Sequence, residues 1–238
     1  LCNVLAGFLY ALPAFGFLKI IMEKIFKLSL VDLEMPKLTL QGKWVMVAVL
    51  LPLGIKAIYL IMIPGEFVPS GMNREEILQT LSAGVFFTGM AAGFVEEMVF
   101  RGVILNAVRK AWGTKAAVAF PSVLFGLVHI LGREFSLGSC LLVVLAGTMV
   151  GIMFSLIALE SGSVWNGAMV HAVWNAVMIG GGLAIGERTD GTSVMTYVLK
   201  TRAFAITGGE FGVESSVISL AGYLLVVLIA LVWIRKKK

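Results

Sequence analysis

Seven apolar stretches, at roughly 3–22, 44–64, 80–109, 115–132, 138–159, 163–183 and 216–234, run through this 238-residue chain. Each approaches the ~20 residues a helix needs to cross a bilayer. Hydrocarbon offers no water to unpaired backbone N–H and C=O groups, so only helices and closed barrels span it. A barrel would show short segments of alternating polarity, whereas these runs are long and unbroken. The expected fold is therefore all-α, a polytopic transmembrane helical bundle of about seven spans. Composition agrees, with 59% hydrophobic and 14% charged residues, against about 45–50% and about 25% in soluble domains. The third stretch is long enough to tilt or to project past the bilayer. No internal repeat or low-complexity segment interrupts the pattern, so 1–238 reads as a single integral membrane domain.

The charges sort by position. Lys19, Lys24, Lys27, Lys37 and Lys43 surround the end of the first stretch and its connection, Arg109, Lys110 and Lys115 follow the third, and Arg235–Lys238 follow the last. Alternate connections are basic, which places the N-terminus outside and the C-terminus in the cytoplasm. A prokaryotic plasma membrane is the expected location. This flank pattern accounts for the net charge of +5 without nucleic-acid binding. The 65–78 connection holds Glu66, Glu75 and Glu76 against Arg74. The 184–215 segment is polar, rich in Gly and Thr, and the longest connection of the core, hence a candidate lid. Trp44 and Trp165 fit interfacial anchors. Lys56 lies inside the second stretch, where snorkelling to the nearer interface is favoured over service as a counter-ion. Cys2 and Cys140 have no CxxC partner and carry no nucleophile signature. The chain begins at Leu1 without Met, so a trimmed start is expected and no signal peptide is judged.

The remaining polar residues carry the chemistry. Glu96 and Glu97 are adjacent inside the third stretch, and Arg101 follows. Ionisable groups at membrane depth cost several kcal/mol and are functional by default. On a helix Glu97 and Arg101, four apart, share a face, so Arg101 can hold Glu97 ionised. The plainest reading of that pair is an ion pair that locks helices. Glu96 points about 100° away and has no local basic partner. The only histidines, His129 and His171, also lie in apolar stretches. His129 alone reads as a hydrogen-bonded core residue. His171 and Asn175, four apart, read as a polar pair between helices. Each signal is weak alone; together, in three helices, they describe one site.

Glu96-Glu97-x-x-x-Arg101, Phe125-x-x-x-His129 and His171-x-x-x-Asn175 together resemble the ordered motifs of the CPBP family, the type II CAAX prenyl proteases and bacteriocin-processing or immunity enzymes. The resemblance covers roughly 80–183, and no motif residue departs from it. It implies an intramembrane glutamate-dependent endopeptidase without a cofactor. Glu96 and His129 would hold and activate a water, His171 and Asn175 would stabilise the oxyanion, and Glu97 and Arg101 would support the site. The implied partners are the lipid bilayer and a membrane-associated protein or peptide substrate, with prenylated proteins in its range. The chemistry is coherent: burial raises a carboxyl pKa toward the range of a general base near neutral pH, and neutral donors aimed at developing charge are worth a few kcal/mol each.

Other chemistries fit less well. HExxH is absent, because neither His is followed by Glu. A metal site built from Glu96, His129 and His171 with a water has the ligand count of catalytic zinc and ranks below the metal-free reading. Asp32 and Asp190 lie outside the apolar stretches, against an aspartyl protease, and there is no GxSxG elbow. Ser163 and His171 are separated by about 12 Å of helix. Two non-protease classes remain: an immunity or peptide-binding protein that grips rather than cleaves, and a proton-coupled transporter, which would call for pseudo-symmetric halves that the chain lacks.

Overall fold

The computed structural model describes residues 2–189 and 191–237. It is mostly helical, at 72%. Helix α1 (Cys2–Lys24) and helix α2 (Gly42–Met62) are followed by a short strand, β1 (Gly65–Pro69). A helical run over 74–128, interrupted at Gly113, comes next. It comprises α3 (Arg74–Ser82), a π-helical segment Ala83–Ala92, the α-helical turn α4 (Gly93–Glu97), a second π-helical segment Met98–Ile104, and α5 (Leu105–Val128). Asn73 starts this run with a capping box: its side chain accepts from Glu75 and Glu76 N–H while Glu76 accepts from Asn73 N–H, which satisfies otherwise unpaired donors of the first turn.

The stretches expected at 80–109 and 115–132 are two helices that meet at Gly113, whose φ of +82° and ψ of 176° are not helical. That conformation interrupts the helix and turns the chain, and Gly takes it because it carries no Cβ to clash there. Helix α6 (Leu137–Ser161) begins at the Ser136 cap and ends on left-handed Gly162. Helix α7 (Val164–Met178) begins at the Ser163 cap. With 15 residues it is shorter than the seven-stretch reading assumed; five helical runs, at 2–24, 42–62, 74–128, 137–161 and 217–236, have the length and hydropathy to cross a membrane.

The connection expected as an irregular loop at 184–215 is structured. It contains β2 (Leu183–Gly186), β3 (Met195–Leu199), the short helix α8 (Phe204–Thr207) and two 3₁₀ turns, Gly209–Phe211 and Val213–Ser215. The strand order is β1–β3–β2, antiparallel for β1 with β3 and parallel for β2 with β3. Helix α9 (Val217–Lys236) then closes the chain. The sheet escaped the sequence reading because its strands are only four or five residues long and two of them sit among glycines and threonines.

Close backbone contact joins α5 to α6. A Cβ on Gly147 would come within 2.6 Å of Gly126 Cα, and one on Gly151 within 2.6 Å of Ser122 Cα. Ser122 and Gly126, and Gly147 and Gly151, are each four apart. This is small-residue packing of the kind that replaces the hydrophobic drive inside lipid. The main core gathers Trp44, Tyr59, Phe154, Ile157 and Tyr223 from α2, α6 and α9.

The two ends of the bundle are tied separately. At one end Lys43, Lys237 and Trp44 converge on Glu160, and Arg109 meets Glu34. At the other, Ser136 N–H donates to Glu210, and Tyr59 O–H approaches Ile206 O and Ser216 Oγ. Trp44 is therefore no interfacial anchor; it is fully buried and donates to Glu160. Trp165 is half-buried and donates to the Pro36 carbonyl. Lys56 does not snorkel to an open interface either. It is buried, and its ammonium donates to the Val177 and Leu183 carbonyls at the end of α7 and the start of β2. Carbonyls left over at a helix C-terminus are good partners for an ammonium.

Candidate active site in the bundle cavity

The helical turn Gly93–Glu97 carries both glutamates between two π-helical segments. Isolated π turns inside α-helices are frequent at functional sites. Here they also set alignment. In a regular α-helix a four-residue spacing drifts by about 40° per step. The wider π turns offset that drift, and Thr88, Ala92, Glu96 and Phe100 all line one wall of a cavity. The cavity measures about 750 Å³ and is also lined by His129, Phe154, His171, Asn175, Glu210 and Glu214. Phe86, Met90, Phe94 and Met98, from the same run, line a separate apolar groove against α1.

Glu97 turns into the protein. It and Arg101 are fully buried, with Arg101 Nη1 donating to Glu97 Oε1 at 2.9 Å and Nη2 donating to the Gly151 carbonyl at 3.1 Å. Arg101 lies against the rings of Phe100, Phe125 and Phe154, the nearest centroid at 4.6 Å. Such contacts supply cation–π attraction where water is excluded. His171 Nδ1 lies 3.0 Å from the same Glu97 Oε1. Since that oxygen is an acceptor, Nδ1 carries the proton it receives. The ring stacks on Phe154 at 4.8 Å and 19°, which fixes its plane and turns Nε2 toward Glu96 Oε2, 3.8 Å away. Glu97 Oε2 has no hydrogen-bond partner among the described residues, nor has Arg101 Nε. Gly167 clears space for that oxygen: a Cβ there would stand 3.3 Å from it.

Glu96 faces the cavity with its side chain 36% exposed. His129, at the end of α5, bonds Phe125 O through Nδ1 at 2.6 Å and packs on the rings of Phe125 and Phe211. Asn175 Nδ2 donates to Thr88 O at 3.1 Å, which ties α7 to the wall that carries Glu96.

The structure thus brings Glu96, Glu97, Arg101 and His171 into direct succession and sets His129 and Asn175 on the same cavity. The Glu97–Arg101 pair is present as the four-residue spacing predicts. No hydrogen bond joins Glu96 to His129 among the described residues; the partner nearest Glu96 is His171. Sequence reasoning missed the Glu97–His171 contact, the Phe154 stack, Gly151, Gly167 and the carboxylate of Glu214. A fixed spacing within one helix is visible in a sequence, whereas contacts between helices are not. No group of three or more His, Cys, Asp or Glu side chains in a metal-holding arrangement occurs among the described residues.

Residues 78–177 match the family described as type II CAAX prenyl endopeptidase Rce1-like. The match supports membership of the CPBP family. It covers every motif residue named above and nearly coincides with the expected core, 80–183. No curated protein and no solved structure matches the chain. The family is a protease family, and with the apolar helices it supports a multi-pass membrane protein with protease activity on membrane-associated peptides.

Proposed function

We propose that the chain is a glutamate-dependent intramembrane endopeptidase that hydrolyses a peptide bond of a membrane-associated protein or peptide with a water held by Glu96 and His129. One observation carries this reading. A carboxylate, Glu96, stands open to a cavity while its neighbour Glu97 is consumed in orienting the His171 imidazole that faces it. Glu96 takes a proton from the attacking water and passes it to the leaving amine. His129, across the same cavity, holds the water. Asn175 has one amide N–H on Thr88 O and a second for the oxyanion. His171 donates to the oxyanion through Nε2 in its doubly protonated form, with Glu97 behind Nδ1. Donors fixed in advance in a water-poor site stabilise developing charge without reorganising.

In this reading the chain crosses a prokaryotic plasma membrane seven times, N-terminus outside, and the segment 184–215 acts as a lid. Charge orients the bundle. Among the described residues, the end around Glu160 carries eleven Lys and Arg against four Asp and Glu; the end around His129 carries five against seven. The first belongs in the cytoplasm, so the mouth of the cavity opens on the opposite face. A cysteine at Arg133 should then react with an impermeant maleimide in intact cells, and protection there with labelling only after lysis would reverse the orientation.

The decisive experiment is proteomic. Glu96→Gln, expressed in place of the native chain, should retain and co-purify uncleaved substrates, and the purified protein in liposomes should cleave them only with Glu96 present. Cleavage by the Glu96→Gln protein at the native rate would sink the mechanism. A phenotype that survives in that variant would favour the non-catalytic peptide-binding class. Loss of activity on chelation, restored by a divalent ion, would favour the metal alternative.

A further inference from the structure

Glu214 is a carboxylate in the cavity wall that the proposed chemistry leaves unused. It lines the same cavity as Glu96, His129, His171 and Asn175. Glu210, its neighbour in the wall, is already engaged, accepting from Ser136 N–H at 2.7 Å at the start of α6. No ion pair or hydrogen bond from a cationic side chain reaches Glu214 among the described residues. Lys56 is near enough to act on it through space, but its ammonium is committed to the Val177 and Leu183 carbonyls. Arg133 lines the cavity without pairing with it.

The backbone that carries Glu214 is held on both sides. The 3₁₀ turn Val213–Ser215 starts at Gly212, where φ is +105°. Ser215 Oγ donates to Gly208 O at 2.7 Å, Ser219 Oγ to Val213 O at 2.6 Å, and Tyr223 O–H to the Glu214 carbonyl at 2.9 Å. The side chain is half-buried, and burial pushes its pKa up to about 7. Its carboxyl has its own backbone N–H as a hydrogen-bond donor and no cation in contact; an acid so placed in a low-dielectric wall is costly to ionise, and a cation beside it removes the cost. The surrounding end of the bundle adds a favourable field, since it is the acidic end.

We infer that Glu214 is a specificity residue that receives a basic side chain, Lys or Arg, from the peptide substrate in the cavity. The inference rests on the endopeptidase reading for what is bound and names the class of peptide: a membrane-associated segment with a basic residue near the scissile bond. Glu214 acts by charge and position and takes no proton from the reacting atoms.

The test uses amphiphilic peptides with an apolar segment, in which Lys, its uncharged analogue norleucine, or Glu is scanned across eight positions. The full-length protein is reconstituted in liposomes for cleavage, and its Glu96→Gln variant in nanodiscs for binding. With Lys at the favoured position, kcat/KM should exceed that of the norleucine peptide at least about tenfold, mainly through KM. Glu214→Gln should abolish the preference while leaving cleavage of the norleucine peptide intact, and Glu214→Lys should transfer it to the Glu peptide. Equal cleavage of Lys and norleucine peptides at every position overturns the assignment and leaves the endopeptidase reading standing. Preferential, Glu214-dependent binding of Lys peptides to a protein that cleaves none of them upholds the assignment and overturns the reading. Binding without preference and without cleavage overturns both.

Discussion

Two carboxylates in this protein are fully buried beside basic residues, and they are treated differently. Glu160 is saturated: Oε1 accepts from Lys43 at 2.6 Å and pairs with Lys237 at 2.7 Å, and Oε2 accepts from Trp44 Nε1 at 2.9 Å. Glu97 places Arg101 and His171 on a single oxygen, and its other oxygen has no partner. Glu160 ties the ends of α2, α6 and α9 together. Glu97 holds an imidazole against a cavity. Buried charge is weak evidence for stability or for function by itself; what distinguishes the two sites is that one has every acceptor filled and the other borders open space.

Experiments can break that contrast. The largest expected effect is on rate. Glu96→Gln should lower kcat by about 10²–10⁴-fold with little change in unfolding temperature, because its side chain is partly exposed. Glu160→Gln should leave kcat where it is. Equal rate losses in both would erase the distinction between an anchoring and a working carboxylate. Next comes stability. Arg101→Met alone should cost about 3–5 kcal/mol, since it strands the Glu97 charge. The double change Glu97→Gln with Arg101→Met should recover most of it without recovering cleavage, because His171 would lose the charge behind Nδ1. Thermal unfolding in detergent, run beside a cleavage assay, separates the two outcomes; a double variant as unstable as the single one would contradict the stranded-charge account.

A smaller loss, about 1–2 kcal/mol, is expected for Glu160→Gln, since Lys43 and Lys237 are partly exposed and solvent screens them. A tryptophan emission shift from Trp44 should report it. The smallest effect concerns Glu214, whose pKa of about 7 stands above the ordinary 4.5. Between those values the folded protein keeps a proton that the unfolded chain releases, so this group lowers stability as pH rises through that window. Glu214→Gln should therefore match the native chain at pH 4 and unfold at a higher temperature at pH 8. Equal unfolding temperatures at pH 8 would place the carboxyl in ordinary solvent.

Much of this was legible because lipid imposes simple rules. Long apolar runs announce helices, and polar residues within them announce a site. Spacing along one helix paired Glu97 with Arg101 correctly. Contacts between helices depend on crossing geometry, so neither Glu97 with His171 nor Arg101 with Gly151 could be read. Lys56 and Trp44 misled for a related reason: both types favour interfaces, yet here each found a buried partner, Lys56 two carbonyls and Trp44 a carboxylate. The basic residues Arg109, Lys110 and Lys115 mark the division of the 74–128 run, and Gly113 between them is where the chain leaves helical geometry.

Gly151 has a consequence for how this protein can vary. Its missing side chain lets α5 settle on α6, and its carbonyl receives Arg101. A single codon change to alanine or serine would push the two backbones apart and withdraw a partner of the guanidinium in the same step. Drift at this position is therefore closed from two directions at once, and no compensating change confined to either helix would reopen it.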